Sequence, residues 1–324
     1  MNHLKENAGT SVPPRTTPSI ELSDLTVSFG KKANPAVDGI SLQIPGGQVY
    51  GLIGRNGAGK TTLLRAIAQQ LNSTGTVTLD GQPIRDNEWA LERIILAGPD
   101  AVWPQDLPVR SVLRIAELRW PTWDQAFAEE MIQAFRIDTS KRLRAMSRGQ
   151  RSAVSIILGL AAQCPITLLD EPYLGLDVQS REAFYRFLMS DLERNPRTVI
   201  LSTHHLGDVA RLLDQVIIID EGKLLEFGPL ETVSGRIHLV SGPSQAVSAF
   251  LDQWSASLSV APSSFLIKDV TSTGLRRLTL SYDPESPEAV AAESAAQRAG
   301  VQLKAADLEQ AVLALTGEGA GDEQ

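Results

Sequence analysis

The stretch Gly54-Arg55-Asn56-Gly57-Ala58-Gly59-Lys60-Thr61-Thr62 decides how the rest of the chain is read. Its spacing is that of G-x-x-x-x-G-K-[ST], a turn whose small residues let consecutive backbone N–H groups converge on one anion. Residues 48–53 before it form an apolar run expected to be a buried strand, and Leu64, Ile67, Ala68 and Leu71 after it recur at helical spacing. A helix starting there adds the positive end of its dipole to the anion site. Strand, glycine turn and helix in that order make a nucleotide phosphate cradle. Arg55 and Asn56 span the loop, Lys60 reaches the β- and γ-phosphates, and Thr61, with Thr62 beside it, offers its hydroxyl to Mg²⁺.

Two acids downstream belong to the same chemistry. Asp170 and Glu171 end the run Ile166, Thr167, Leu168 and Leu169, which has the pattern of a central strand. Their carboxylates then emerge at the C-terminal edge of the sheet, where the cradle also opens. Asp170 is placed to hold the Mg²⁺ shell through water. Glu171 is placed to orient and deprotonate the attacking water as general base.

With 324 residues, 43% of them hydrophobic and 5% aromatic, the chain has room for a nucleotide-binding domain and a smaller second unit. The formal net charge of -8 leaves no basic footprint, so no nucleic acid partner is expected. The single cysteine, Cys164, excludes an intramolecular disulfide and reads as a buried structural thiol. No run approaches the roughly 20 apolar residues of a spanning helix. Residues 1–18 carry Pro13, Pro14 and Pro18 without an apolar core, the composition of a mobile tail and not of a signal peptide.

In chain order, alternation predicts strands over 20–29 and 40–44, a small β layer beside the cradle, then strands at 75–79 and 94–97. Thr122 and Gln125 have capping-box spacing ahead of a helix carrying Phe127, Met131, Ala134 and Phe135. Strands follow at 166–169 and 198–201, with helices carrying Phe184, Phe187, Leu188 and Leu192, then Leu206, Val209, Ala210 and Leu213. A hairpin joins 216–219 to 224–227 through Asp220-Glu221-Gly222-Lys223. Strands alternating with helices predict an α/β architecture around a parallel sheet. From Arg236 the order restarts as β-α-β-β-α-β plus a last helix at Leu308, Ala311, Val312 and Leu315, which predicts a small ferredoxin-like α+β unit.

Over residues 20–228 the sequence resembles the ABC family of ATPases. Besides the cradle and the acid pair, Met146 to Arg151 (MSRGQR) resembles that family's signature, Leu174 to Asp177 (LGLD) its D-loop, and Ser202 to His205 (STHH) its switch-histidine segment, all in family order. The resemblance implies a P-loop domain of ABC type, with antiparallel β and helical subdomains, over 19–233, and leaves 234–324 as the accessory unit. It implies a head-to-tail dimer, homomeric or heteromeric, in which ATP and Mg²⁺ at one cradle are closed over by Ser147, Gly149 and Gln150 of the other subunit. Ser147 starts a helical stretch, so its hydroxyl and the first N–H groups form a second anion site. On the same resemblance Phe29 stacks on adenine, worth about 1 to 3 kcal/mol if base stacking in single strands is a guide; a core-facing ring is the alternative. His204 is the switch histidine, and Asp177 either touches the partner subunit or caps its own helix.

Three positions depart from the family pattern. Arg148 stands where the signature has its second glycine, Asp100 or the nearby Gln105 occupies the place of the Q-loop glutamine, and Phe29 replaces the commoner tyrosine. Alignment from the preceding strand favours Asp100, whose carboxylate can ligate Mg²⁺ while adding negative charge near the γ-phosphate. Trp103, Trp120 and Trp123 follow closely, as core packing or as a partner surface. The segment Trp120 to Asp124 (WPTWD) resembles ABC-2-type ATPases found beside GntR-class repressors. The expected protein is the ATP-hydrolysing subunit of a transporter, peripheral on the cytoplasmic face and docked on separate transmembrane permease subunits. A soluble ABC ATPase of cofactor assembly and a nucleotide-sensing regulator are the alternatives.

Overall fold

The computed structural model describes residues 17–30, 34–100, 103–203, 209–258 and 261–316. Strands β1 (Ile20–Val27) and β2 (Val37–Ile44) pair antiparallel, and β3 (Val49–Ile53) runs into the glycine loop and α1 (Lys60–Ile67). β4 (Thr74–Leu79) turns through Asp80 and Gly81, both at positive φ, into β5 (Gln82–Pro83). The short α2 (Glu88–Leu91) and β6 (Ile94–Ala97) precede three helices, α3 (Val109–Arg119), α4 (Gln125–Ala134) and α5 (Arg148–Ala161). β7 (Ile166–Asp170), α6 (Val178–Arg194), β8 (Thr198–Thr203), the hairpin β9 (Gln215–Asp220) and β10 (Lys223–Pro229), and α7 (Leu230–Gly235) follow. The last segment comprises β11 (Ile237–Pro243), α8 (Ser244–Ser255), β12 (Leu266–Ser272), β13 (Leu275–Ser281), α9 (Pro287–Ala299), β14 (Gln302–Ala305) and α10 (Leu308–Leu315).

The central sheet has the order β10-β9-β3-β8-β7-β6, parallel except for β10. β3, β6 and β8 are buried along their length, which is why they read as apolar runs instead of alternating ones. The period of two survives in where the side chains go. Val216 and Ile218 enter the cluster beneath α3 to α6, while Ile217 and Ile219 enter the cluster beneath α1 and the β2-β1-β4-β5 sheet. Register then levels the strand ends: Ile53 lies opposite Thr203, Ser202 opposite Asp170, and Leu169 opposite Ala97.

Several local expectations change. The cap of α4 is Asp124, whose Oδ1 accepts from Phe127 N at 2.9 Å; Thr122 donates instead to Ala162 O at 2.6 Å, tying the chain to the end of α5. Of the helix expected over Leu206 to Leu213, Leu206 lies outside the described residues, and the described part holds a 3₁₀ turn at Ala210–Leu212. Leu71 lies beyond α1, which ends at Ile67. Of the expected N-terminal tail, residues 1–16 lie outside the described residues, whereas Pro18 is buried and the Thr17 carbonyl sits where a Cβ on Gly46 would fall.

The last segment forms an antiparallel sheet in the order β12-β13-β11-β14, with Val247, Phe250 and Trp254 of α8 and the alanines of α9 over one face. Trp254 Nε1 donates to Glu288 O at 3.0 Å, joining the two helices. α10 leaves this layer: Leu308 and Val312 share an apolar cluster with Val233 of α7 and the helical side of the central sheet.

Candidate nucleotide site

Backbone geometry makes the loop after β3. A Cβ on Gly54 would lie 2.3 Å from Ile219 O, and one on Gly59, which has φ of 104°, would lie 2.3 Å from Ala36 O. Only glycine permits these approaches. Gly59 caps α1 without a side-chain bond, so the N–H groups of Lys60, Thr61 and Thr62 have no intrahelical acceptor. Lys60 is 5% exposed, and its Nζ donates to Gly54 O at 2.6 Å and to Arg55 O at 2.9 Å, which holds the ammonium over the loop. Arg55, Asn56, Gly57 and Thr61 are exposed, Thr62 is half-buried, and Ala58 packs inward, its carbonyl accepting from Gly222 N at 3.0 Å. Converging N–H groups, an ordered ammonium and exposed hydroxyls fit a phosphate chain.

Across β8 from this loop stands the acid pair. Ser202 Oγ donates to Asp170 Oδ1 at 2.7 Å and accepts from Glu171 N at 2.9 Å. Glu171 takes φ of 44°, an uncommon conformation for glutamate that turns the chain sharply out of β7. Gly98 closes the far side: a Cβ there would meet Asp170 O at 2.7 Å, and Gly98 O accepts from Ser155 Oγ at 2.6 Å. The Tyr173 hydroxyl bonds that of Thr203, fastening the turn after β7 to the end of β8. Ser202, Ser155 and the Tyr173–Thr203 pair were not singled out from sequence, although Ser202 lies inside the STHH segment. Among the described residues no three His, Cys, Asp or Glu side chains cluster to hold a metal; the Thr61 hydroxyl and the Asp170 carboxylate are oxygen donors of the kind Mg²⁺ takes.

The signature residues begin α5. Ser147 is its N-cap, accepting from Gln150 N at 3.2 Å while its own N–H donates to Gln150 Oε1 at 3.1 Å. This capping box engages the Gln150 carbonyl oxygen within the chain and leaves the Ser147 O–H with the first two helical N–H groups, those of Arg148 and Gly149, for an outside acceptor. A Cβ on Gly149 would fall 2.2 Å from Gly175 O, and Ser152 Oγ donates to Leu174 O at 2.6 Å, so the start of α5 packs directly on the LGLD turn. Asp177 does cap α6: its Oδ1 accepts from Ser180 N at 2.7 Å, and that bond holds the carboxyl below its usual range.

Two of the positions that depart from the family pattern meet. Arg148 Nη2 lies 3.9 Å from Asp100 Oδ2, and the Asp100 carbonyl accepts from Arg65 Nη2 of α1 at 3.3 Å. Phe29 lies beyond β1 and is 60% exposed, which removes the core-facing alternative. The tryptophans go the other way: Trp120 is buried, Trp103 and Trp123 pack on the same core, and Trp103 meets Trp120 edge-on at 6.2 Å. Exposed apolar surface is found instead at Trp89 and Leu118. His204 lies outside the described residues; Thr203, which precedes it, ends β8 level with Ile53.

A glycine loop entering a helix, with an acid-tipped strand one position removed in a parallel sheet, is the arrangement of a P-loop nucleoside triphosphatase. Residues 37–174 match the family model of the ABC transporter. The ABC transporter ATP-binding protein NatA of Bacillus subtilis is 33% identical over 224 residues, covering 66% of this chain and 91% of that protein. The hemin import ATP-binding protein HmuV of Streptomyces coelicolor is 30% identical over 267 residues, covering 77% and 93%. Among solved structures, an ATP-binding subunit of an ABC transporter superposes with a TM-score of 0.58 at 24% identity, over 66% of this chain and 91% of that one. A dimeric ATP-binding cassette in a post-hydrolysis state, with ADP and Pi, gives 0.56 at 22% identity, over 65% and 98%. The chain belongs to the family of ABC transporter ATP-binding proteins and is an ATPase. None of its described helices is long and apolar enough to cross a membrane.

Proposed function

We propose that this chain is the ATP-hydrolysing subunit of an ABC-2-type exporter, working as a head-to-tail dimer on the cytoplasmic face of separate transmembrane subunits. The observation that carries the reading is the common edge onto which the Gly54 to Thr62 loop, Asp170, Glu171 and Ser202 all open. Export follows the resemblance of WPTWD to ABC-2-type ATPases; import named for relatives such as HmuV is a property of those proteins.

In this reading the loop N–H groups and Lys60 hold the phosphates, Thr61 and Asp170 hold Mg²⁺, and Phe29 stacks on the adenine. Bound there, Mg²⁺ would supply charge neutralisation to the phosphate chain. Glu171 takes the proton of the attacking water, its backbone fixed by Ser202, and His204 contacts the γ-phosphate. Ser147, Gly149 and Gln150 close the partner's site, with Asp177 at the same interface. Asp100 and Arg148 offset each other's charge beside the nucleotide, so that neither departure leaves a net charge there. The groove between α2 and the end of α3, with Leu91 and Leu118 among Asp86, Glu88 and Glu92, is the docking surface for a transmembrane subunit. Hydrolysis of MgATP by the purified protein, abolished in Lys60→Ala, tests the core of this reading; turnover that survives the substitution contradicts it.

A further inference from the structure

We propose that the C-terminal segment carries a binding site for a small primary ammonium compound with a short apolar tail, between α9 and the β11–β14 edge of its sheet. A cavity of about 380 Å³ opens there, within the size range of small-molecule sites and remote in sequence from the phosphate loop. His238 and Tyr282 form one wall, with ring centroids 4.1 Å apart and planes within 8°. Glu293 of α9 faces them, and Ala289, Ala296 and Leu303 supply an apolar floor.

The donor and acceptor inventory selects the ligand. His238 Nδ1 lies 3.2 Å from Arg236 O, and a carbonyl can only accept, so Nδ1 carries the hydrogen and Nε2 presents a lone pair. Burial of His238 pushes its pKa down and keeps the ring neutral, while burial and the nearby Glu293 push the Tyr282 phenol up and keep it protonated. His238 is 9% and Tyr282 5% exposed, and neither Nε2 nor the phenol has a hydrogen-bond partner among the described residues. Glu293 likewise has no ion pair among them. Lys304 borders the cavity from β14, but it pairs with Leu239 while its neighbour Ala305 pairs with His238. Alternation therefore sends the Lys304 side chain off the other face of the sheet. What remains is a site with a carboxylate, an imidazole acceptor and one hydroxyl, short of donors and bearing one negative charge. A primary ammonium supplies three donors and the opposite charge, and the alanine and leucine floor takes an alkyl tail. A quaternary ammonium lacks the donors, and a carboxylate meets Glu293.

The test is isothermal titration of the full-length protein with butylammonium, phenethylammonium, tetramethylammonium and butyrate, with ATP titrated in parallel as a measure of the intact cradle. At least one primary amine is expected to bind. Glu293→Gln, an exposed position, should weaken that binding about 10-fold or more, and Tyr282→Phe by a smaller factor, with ATP affinity unchanged. Failure of both primary amines to bind overturns the proposal, as does butyrate or tetramethylammonium binding as tightly as the amines, or an affinity indifferent to Glu293→Gln.

Discussion

Ser202 and Asp170 stand side by side at the ends of β8 and β7, and the serine hydroxyl donates to the carboxylate at 2.7 Å while accepting from Glu171 N at 2.9 Å. One hydroxyl therefore sets the direction of the proposed metal-shell acid and the backbone of the proposed base. Ser202→Ala should keep the fold and the ATP affinity, lower kcat about 10-fold, and raise the Mg²⁺ concentration needed for half-maximal rate. An Mg²⁺ dependence equal to that of the unaltered protein would assign Ser202 to packing alone.

Glu171→Gln keeps shape and hydrogen bonding but removes the base. Turnover should fall roughly 10² to 10⁴-fold while MgATP still binds, and the protein should sediment as a dimer when ATP is present. Near-unaltered hydrolysis would falsify the role given to Glu171.

Ser147→Arg places a long cation at the α5 N-cap. ATP-induced dimerisation should be lost while monomer affinity for ATP stays within a few-fold, because Ser147 is proposed to serve the partner's nucleotide. Equal loss in both measurements would show that the signature acts within its own chain.

For Asp100 and Arg148, both largely exposed and 3.9 Å apart, the pair itself adds little to stability. The expected effect is on charge at the site. Asp100→Gln should leave the basal ATPase within a few-fold, and the charge-swapped Asp100→Arg/Arg148→Asp protein should lie closer to the unaltered rate than Asp100→Arg alone. Additive losses in the swap would mean that the two side chains act separately.

The boundary proposed at residues 233 and 234 is crossed by α10. A chain ending at Ser234 should still bind ATP, since the phosphate-directed residues all precede it, yet lose stability because Leu308 and Val312 no longer cover Val233. Val312→Ala in the full chain should cost about 1 to 3 kcal/mol in urea unfolding for the same reason. A truncated protein blind to ATP would make 234–324 part of one folding unit.

Most elements were legible because their cause is local. The glycine spacing of the loop, the apolar runs of β3, β7 and β8, and the turn at Glu221 and Gly222, both at positive φ, are written in neighbouring residues. The β-α-β-β-α-β order of the last segment is legible for the same reason. Misreadings fell where two local signals competed, as when Thr122 had the spacing of a cap but Asp124 took the role and Thr122 bonded Ala162 O instead.

By itself the sequence determined the phosphate loop, the acid-tipped strand and the family, since each rests on residue types at fixed short spacing. Only the tertiary structure decided that β8 lies between β3 and β7, which is what brings Ser202 to Asp170 and Glu171. It also decided that the tryptophans turn inward while Phe29 stays out, that Asp100 meets Arg148, and that His238, Tyr282 and Glu293 share a cavity. Those are contacts between residues tens of positions apart. Their energy depends on strand order and on which face of a helix is covered, and short-range periodicity carries neither.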